Sequence, residues 1–194
     1  MITVLEQRLE GGNRERVRDV MEDVEEMSKL IRELLAFSRA EMNSGAVELE
    51  EILLLPVLEA AVRREASPTV RIDVQADPEI SVIASADLLT RALANLLRNA
   101  VKYAGEAGPI RLTARQNNGQ VVLTVQDSGP GVAEEYLDRL FDPFFRPEPS
   151  RDQDSGGVGL GTAIVKTCVV ACKGTVSARN RKPHGFAVTI TLGC

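Results

Sequence analysis

The sequence predicts an α+β layered domain, a mixed sheet with helices on one face, preceded by part of a helical hairpin. Three observations lead there. Short segments with apolar residues at every second position are interspersed with segments of helical period. Asn117-Asn-Gly119 separates two such alternating runs, a strong signal for a tight antiparallel hairpin. Residues 13–40 carry a heptad-like seam unlike anything that follows.

Residues 1–9 read as the tail of a helix broken by Gly11-Gly12-Asn13. From Asn13 to about Ala40, Val17, Val20, Val24, Met27, Ile31 and Leu34 fall at a 3-4-3-4-3 spacing. The positions between them are mostly charged, as on a solvated helix face. Two helices joined by a Gly-Gly turn make a hairpin, which buries its seam best against a second copy in a four-helix bundle. A homodimer is therefore expected. Asn43-Ser-Gly45 breaks composition and period, which sets a boundary between residues 1–44 and a domain of residues 45–194.

In that domain Val47–Ile52 alternates as a strand, and Leu54–Ala66 is a helix with Pro56 near its start. Val70–Val74 alternates as a strand, with Ile80–Ile83 its expected partner after the Asp77-Pro78 turn. A long helix runs from an N-cap at Ser85 to about Ala104. Ile110–Ala114 and Val121–Val125 flank the hairpin turn, and residues 133–141 form a short helix. Residues 142–158 read as a mobile loop, Thr162–Ala171 as a helix, and residues 174–180 and 186–192 as the closing strands.

The totals narrow the function. The 194 residues are 44% hydrophobic and 26% charged, enough for a substantial core. With 4% aromatic residues and no Trp, that core is mostly aliphatic. A net charge of -5 without a basic patch argues against nucleic acid as a partner. No apolar run is long enough to span a membrane, and the first residues lack the charged-then-apolar pattern of a signal peptide, so no membrane contact by this chain itself is expected. Cys168, Cys172 and Cys194 form neither a disulfide framework nor a zinc pattern, which fits a reducing cytoplasm. Cys168 and Cys172 are expected as small buried residues.

Chemistry concentrates in three places. On the long helix, Leu89, Leu93, Leu96, Leu97, Ala100 and Ala104 share one side, while Arg91, Asn95, Arg98, Asn99 and Lys102 share the other. Asn95 and Asn99 stand four apart and Lys102 three further on, so two amide carbonyls and an ammonium project into one patch suited to a cation beside a phosphate. An ordinary half-exposed surface helix would look the same. Asp127-Ser-Gly-Pro-Gly131 follows an apolar strand, which sets a pure acceptor at the strand end beside two glycines that permit positive φ and close approach to a flat ring. A tight turn with an Asp cap accounts for those residues equally well. Gly156-Gly-Val-Gly-Leu-Gly161 runs into a helix, where free N–H groups and the positive dipole end suit a phosphate. It is neither a Walker A loop, since Thr162 stands where Lys is required, nor a dinucleotide loop, since no strand precedes it.

The N-x-x-x-N helix, then D-x-G-x-G, then G-x-G-x-G, in that order, resembles the ATP-binding domain of sensor histidine kinases. The heptad helix resembles the second helix of that family's dimerisation hairpin, and Phe141-Asp-Pro-Phe-Phe-Arg146 its phenylalanine motif. Arg151–Gly157 further resembles envelope-stress sensor kinases of the Cpx type. The resemblance implies a Bergerat-type two-layer α/β sandwich that binds ATP and Mg²⁺. By it, Asn99 is the metal ligand supported by Asn95, and Lys102 and Tyr103 contact phosphate and nucleotide. Asp127 reads adenine in a pocket lined by Gly129, Gly131 and Val132. Phe144, Arg146, Gly157, Gly159, Leu160, Gly161 and Thr162 belong to the lid and the phosphate loop, with Arg146 a phosphate clamp. Asn95, Asn99 and Lys102 are thereby the catalytic candidates.

In the related gyrase and Hsp90-like ATPases a Glu that activates water stands one turn before the metal-binding Asn. Asn95 holds that position here and cannot act as a base, which favours transfer over hydrolysis. The family's acceptor His is missing, since the one histidine is His184, read as a turn residue. The chain is therefore expected to be a fragment, the longer protein anchored in the inner membrane and a response regulator its partner. Thr162 and Cys172-Lys-Gly174 replace the family's usual Leu and His-Gly-Gly. Two rivals stand beside this reading: a serine-directed kinase or ATPase of the same fold, and a non-enzymatic dimerisation or regulatory module with a degenerate pocket.

Overall fold

A computed structural model describes residues 18, 20, 21, 24, 47–65, 67, 69–104, 107–147 and 159–194. In chain order the domain is β1 (Glu50–Leu53), α1 (Leu54–Glu65), β2 (Ile72–Gln75), β3 (Ser81–Ala84), α2 (Ala86–Ala104), β4 (Ile110–Asn117), β5 (Gln120–Gln126), a 3₁₀ turn (Glu134–Arg139), α3 (Gly161–Ala171), β6 (Thr175–Asn180) and β7 (Phe186–Gly193). The five-stranded sheet runs β2-β4-β5-β7-β6, with β2 parallel to β4 and the other pairs antiparallel.

The β4–β5 hairpin forms as the sequence predicts. Asn117 pairs with Gln120, and Asn118 and Gly119 both take positive φ, 51° and 75°, as a type I′ turn requires. Burial alternates along both strands: Ile110, Leu112 and Ala114 on β4 and Val121, Leu123 and Val125 on β5 face inward. Against that face lie Leu54, Leu58 and Ala61 of α1, Leu89, Leu93, Leu96 and Leu97 of α2, and Ile164, Val165, Cys168 and Val169 of α3. The result is a two-layer sandwich with an aliphatic core, helices over one face of a mixed sheet.

Two local expectations need correcting. The first strand is Glu50–Leu53 rather than 47–52, with Val47 and Leu49 packing half-buried before it. Ile80–Ile83 is not the partner of the 70–74 strand. β3 pairs instead with β1 in a separate two-stranded sheet, where the Leu54 N–H donates to the Ile80 carbonyl at 2.9 Å and Val82 and Ala84 are fully buried. With β3 so engaged, β2 pairs with β4, and the connection through α2 is long enough for a parallel crossover.

α2 begins where the Ser85 carbonyl accepts from the Leu89 N–H at 3.0 Å. Cys168 and Cys172 are buried and unbridged, and burial pushes the Cys168 thiol up to about 11, so they serve as small core residues as expected. Most of the heptad segment, the 43–45 boundary and the Arg151–Gly157 stretch lie outside the described residues. Arg18, Val20, Met21 and Val24 are helical, with Val20 and Val24 59% and 55% exposed. Among the described residues no helix is long and apolar enough to cross a membrane.

Candidate active site

α2 carries the site along one side of its length. Asn95 is only 9% exposed; its Nδ2 donates to the Arg91 carbonyl one turn back at 2.9 Å. Its Oδ1 is directed toward the start of α3, since a methyl group added to Gly161 would lie 3.7 Å from it. The same methyl would lie 3.8 Å from both side-chain polar atoms of Asn99. The fold thus brings the end of the glycine-rich segment directly over the N-x-x-x-N face, across about 60 residues of chain. Gly161 opens α3, and among the described residues no side chain caps that helix end. The first-turn N–H groups and the positive end of the helix dipole therefore lie close to the two amides. Leu160, 1% exposed, plugs the core and anchors the approach, while Thr162 is half-buried in the first turn.

The opposite end of α2 meets the D-x-G-x-G loop. Gly129 does not adopt the positive φ that the sequence allows for. Its requirement is space: a Cβ there would come within 2.6 Å of the Ala104 Cβ and 3.2 Å of the Tyr103 carbonyl. Gly131 does take positive φ, 77°. From Asn95 to Ala104 the helix rises about 14 Å, which separates a phosphate-suited end from a ring-suited end. Lys102 and Tyr103 are exposed near the second end, the Lys102 Nζ 4.9 Å from the centre of the Tyr103 ring.

Asp127 follows β5 and is 9% exposed. Its Oδ1 accepts from the Gly129 N–H at 2.9 Å and the Phe186 N–H at 3.1 Å. Burial raises the pKa of its carboxyl above the ordinary value, and the two N–H donors and the Arg181 charge oppose that shift. One carboxylate oxygen is thus committed to the fold, and among the described residues the other has no bond of that kind to hold it.

The phenylalanine motif closes on the glycine-rich segment. The Phe144 N–H donates to the Gly159 carbonyl at 3.1 Å, and a Cβ on Gly159 (φ 78°) would press on the Phe145 carbonyl and the Arg146 Cγ at 2.8 and 3.2 Å. Phe144 is 60% exposed at φ 63°, a conformation costly for a bulky residue. Phe145 packs on Tyr136 and beneath the Arg139 guanidinium, and Arg146 is half-buried. Gly157 lies outside the described residues.

Arg98 does not join the patch expected of it. Its guanidinium turns to α1 and holds Glu65 through two hydrogen bonds, 3.1 and 2.6 Å. Sequence reasoning also missed Asn180 and Arg181. Asn180 accepts from the Val132 N–H at 2.9 Å and donates to the Val132 carbonyl at 2.6 Å, and Arg181 Nη1 donates to the Asp127 carbonyl at 2.8 Å. No spacing along the chain links residue 180 to residue 127. Only the register does, Gln126 opposite Ala187 and Asn180 opposite Phe186. His184 is exposed in the β6–β7 turn.

Comparisons with known proteins agree with this arrangement. Residues 84–193 match the family described as histidine kinase-, DNA gyrase B- and HSP90-like ATPase. The chain is 32% identical over 182 residues to the Escherichia coli signal transduction histidine-protein kinase BaeS, covering 92% of this chain and 39% of that one. It is 35% identical over 159 residues to the Escherichia coli sensor protein RstB, covering 80% and 36%. The chain thus spans less than half the length of these curated relatives. Among solved structures, the mycobacterial sensor histidine kinase MprB superposes with a TM-score of 0.67 at 28% identity, covering 74% of this chain and 97% of that one. Full-length ShkA in complex with AMPPNP gives 0.70 at 28%, covering 95% and 39%. The matched stretch contains α2, the Asp127 loop and the start of α3, so the chain belongs to the histidine kinase-, DNA gyrase B- and HSP90-like ATPase family, as a homologue of the sensor histidine kinases.

Proposed function

We propose that the chain is the ATP-binding catalytic part of a two-component sensor histidine kinase, with residues 45–194 as the catalytic domain and residues 1–44 as part of a dimerisation hairpin. The observation that carries this is the seating of Gly161 and the α3 N-terminus over Asn95 and Asn99. N–H donors and amide oxygens converge there, as a polyphosphate and its cation require. A structure of the homologous ShkA holds the ATP analogue AMPPNP, which supports the same ligand here.

The donor set fits Mg²⁺ held largely by phosphate oxygens and water. Among the described residues no three His, Cys, Asp or Glu side chains gather into a cage, and a single Asn carbonyl suffices for such a hydrated ion. Asn99 is the ligand in this reading, and Asn95 orients it. When bound, Mg²⁺ neutralises charge on the phosphates. The α3 N–H groups, Lys102 and Arg146 bind and align the polyphosphate, while Asp127 accepts the adenine amine between Gly129, Gly131, Val132 and Tyr103. Asn95 takes no proton from water, because its amide is no base and its Nδ2 is already bonded to the Arg91 carbonyl. The γ-phosphoryl therefore remains for an imidazole nitrogen, which attacks phosphorus as the bond to the β–γ bridging oxygen breaks and ADP leaves. That imidazole belongs to a hairpin histidine outside this sequence. The longer protein is membrane-anchored with this part cytoplasmic, and a response regulator receives the phosphoryl group.

The test is calorimetric. The chain is expected to bind ATP more tightly with Mg²⁺ than with a chelator, and Asn99→Ala to lose about tenfold of the Mg-dependent affinity without loss of melting temperature. Incubated with labelled ATP the chain stays unlabelled until a hairpin carrying an acceptor histidine is added. Unchanged binding by Asn99→Ala, or acid-labile phosphate on His184, overturns the reading.

A further inference from the structure

The loop that follows Asp127 is shaped from a distance by the β6–β7 turn. Asn180, last residue of β6, grips Val132 at both main-chain groups: its Oδ1 accepts from the N–H at 2.9 Å and its Nδ2 donates to the carbonyl at 2.6 Å. The remaining Nδ2 hydrogen reaches Glu134 Oε1 at 3.3 Å. Gly131 lies so close that a Cβ there would stand 2.6 Å from Asn180 Oδ1. One residue further on, Arg181 bonds the Asp127 carbonyl, and the Arg181 N–H donates to the Gly185 carbonyl at 2.9 Å. Gly185 takes a φ of 115°, and a Cβ on it would collide with the Asp127 carbonyl. Phe186 then meets Asp127 through both main-chain groups, donating to its Oδ1 and accepting from its N–H. Residues 127 and 132 are the two ends of the glycine loop, and each is tied to residues 180–186 by side-chain-specific bonds.

We propose that Asn180 is a positioning residue for base recognition, holding Gly131 and Val132 in the shape that lets the loop receive a purine while Asp127 reads its exocyclic group. This rests on the nucleotide reading above. The chemistry suits the task because an Asn amide carries an acceptor and a donor on separate atoms, spaced to meet the two main-chain groups of a single residue. A backbone amide loop without such a partner closes onto itself or onto water. Arg181 and Gly185 fix the other end, so the loop is held as a rigid span rather than as a free turn.

The experiment compares Asn180→Ala and the isosteric Asn180→Asp with the unsubstituted chain. One readout is amide hydrogen exchange at Gly131 and Val132 without nucleotide; the other is calorimetric affinity for Mg·ATP and Mg·GTP. Asn180→Ala is expected to speed Val132 exchange at least tenfold and Asn180→Asp by less, since it keeps an oxygen for the Val132 N–H; both are expected to weaken ATP about tenfold, with a smaller loss for GTP, so that the ATP preference narrows. Asn180→Asp keeps the volume and one acceptor but loses the donor to the Val132 carbonyl, and it sets a second carboxylate against Glu134. A packing role alone would leave the preference for ATP over GTP unchanged in it. Unsubstituted exchange in Asn180→Ala, or unsubstituted ATP preference in Asn180→Asp, overturns the proposal. If the unsubstituted chain binds neither nucleotide, the kinase reading falls instead, and exchange at Val132 alone decides whether Asn180 holds the loop.

Discussion

Asp127 carries two demands that pull its ionisation in opposite directions. Burial favours the neutral acid, whereas the N–H groups of Gly129 and Phe186, together with Arg181, favour the carboxylate. Burial prevails and the folded pKa is raised. Folding then favours the protonated form, so Asp127's contribution to stability is fully present below the unfolded carboxylate value and is lost as pH rises through the folded one. Asp127→Asn keeps an oxygen for both N–H donors but puts an NH₂ where, in the proposed function, the adenine amine meets an acceptor. At neutral pH this variant is expected to melt no lower than the unsubstituted chain, with any advantage vanishing in acid, and to bind ATP roughly 10- to 100-fold more weakly. ATP affinity of the unsubstituted chain should fall on acidification from a pH above the ordinary carboxylate range, while that of the variant stays flat. Melting curves and titration calorimetry over a pH series check both. The residue types of this site were legible in sequence, because amides, a carboxylate and glycines at those spacings have few other uses together. The commitment of Arg98 to Glu65 was not, since helical period alone does not say which neighbour lies beside each flank.

At the level of elements, α2 serves the core on one side and the site on the other, which makes its close contacts unforgiving. Gly129 sits against Ala104 with no room for a methyl. Gly129→Ala is expected to cost roughly 1–3 kcal/mol in denaturant unfolding, because either the loop or the helix end must shift. The same shift moves Asp127, so ATP affinity falls as well. Unaltered stability would mean that the contact is slack. The β4–β5 hairpin and α2 were readable because their signals are local: an Asn-Gly pair with positive φ, and an apolar stripe at helical period. The partnering of β2 and β3 was not. Both strands are short and alternate alike, and the choice was made by β1, which takes the β3 edge and leads straight into α1.

For the whole molecule, the proposed dimer gives Val20 and Val24 a reason to be helical and exposed one turn apart. Replacing both with Glu is expected to lower the dimer fraction in analytical ultracentrifugation and to leave ATP affinity unchanged. An unaltered sedimentation profile would remove the seam from the assembly. The layered α+β class, the aliphatic core, the β4–β5 hairpin and the order of the three chemical motifs were readable along the chain, because all of these follow from periodicity and from residue types that act locally. Tertiary structure alone decided that Gly161 lies over Asn95 and Asn99, that Gly129 abuts Ala104, and that Asn180 and Arg181 grip the Asp127 loop. Those contacts join residues tens of positions apart. Strand register and helix packing bring them together, and neither leaves a local mark in the chain.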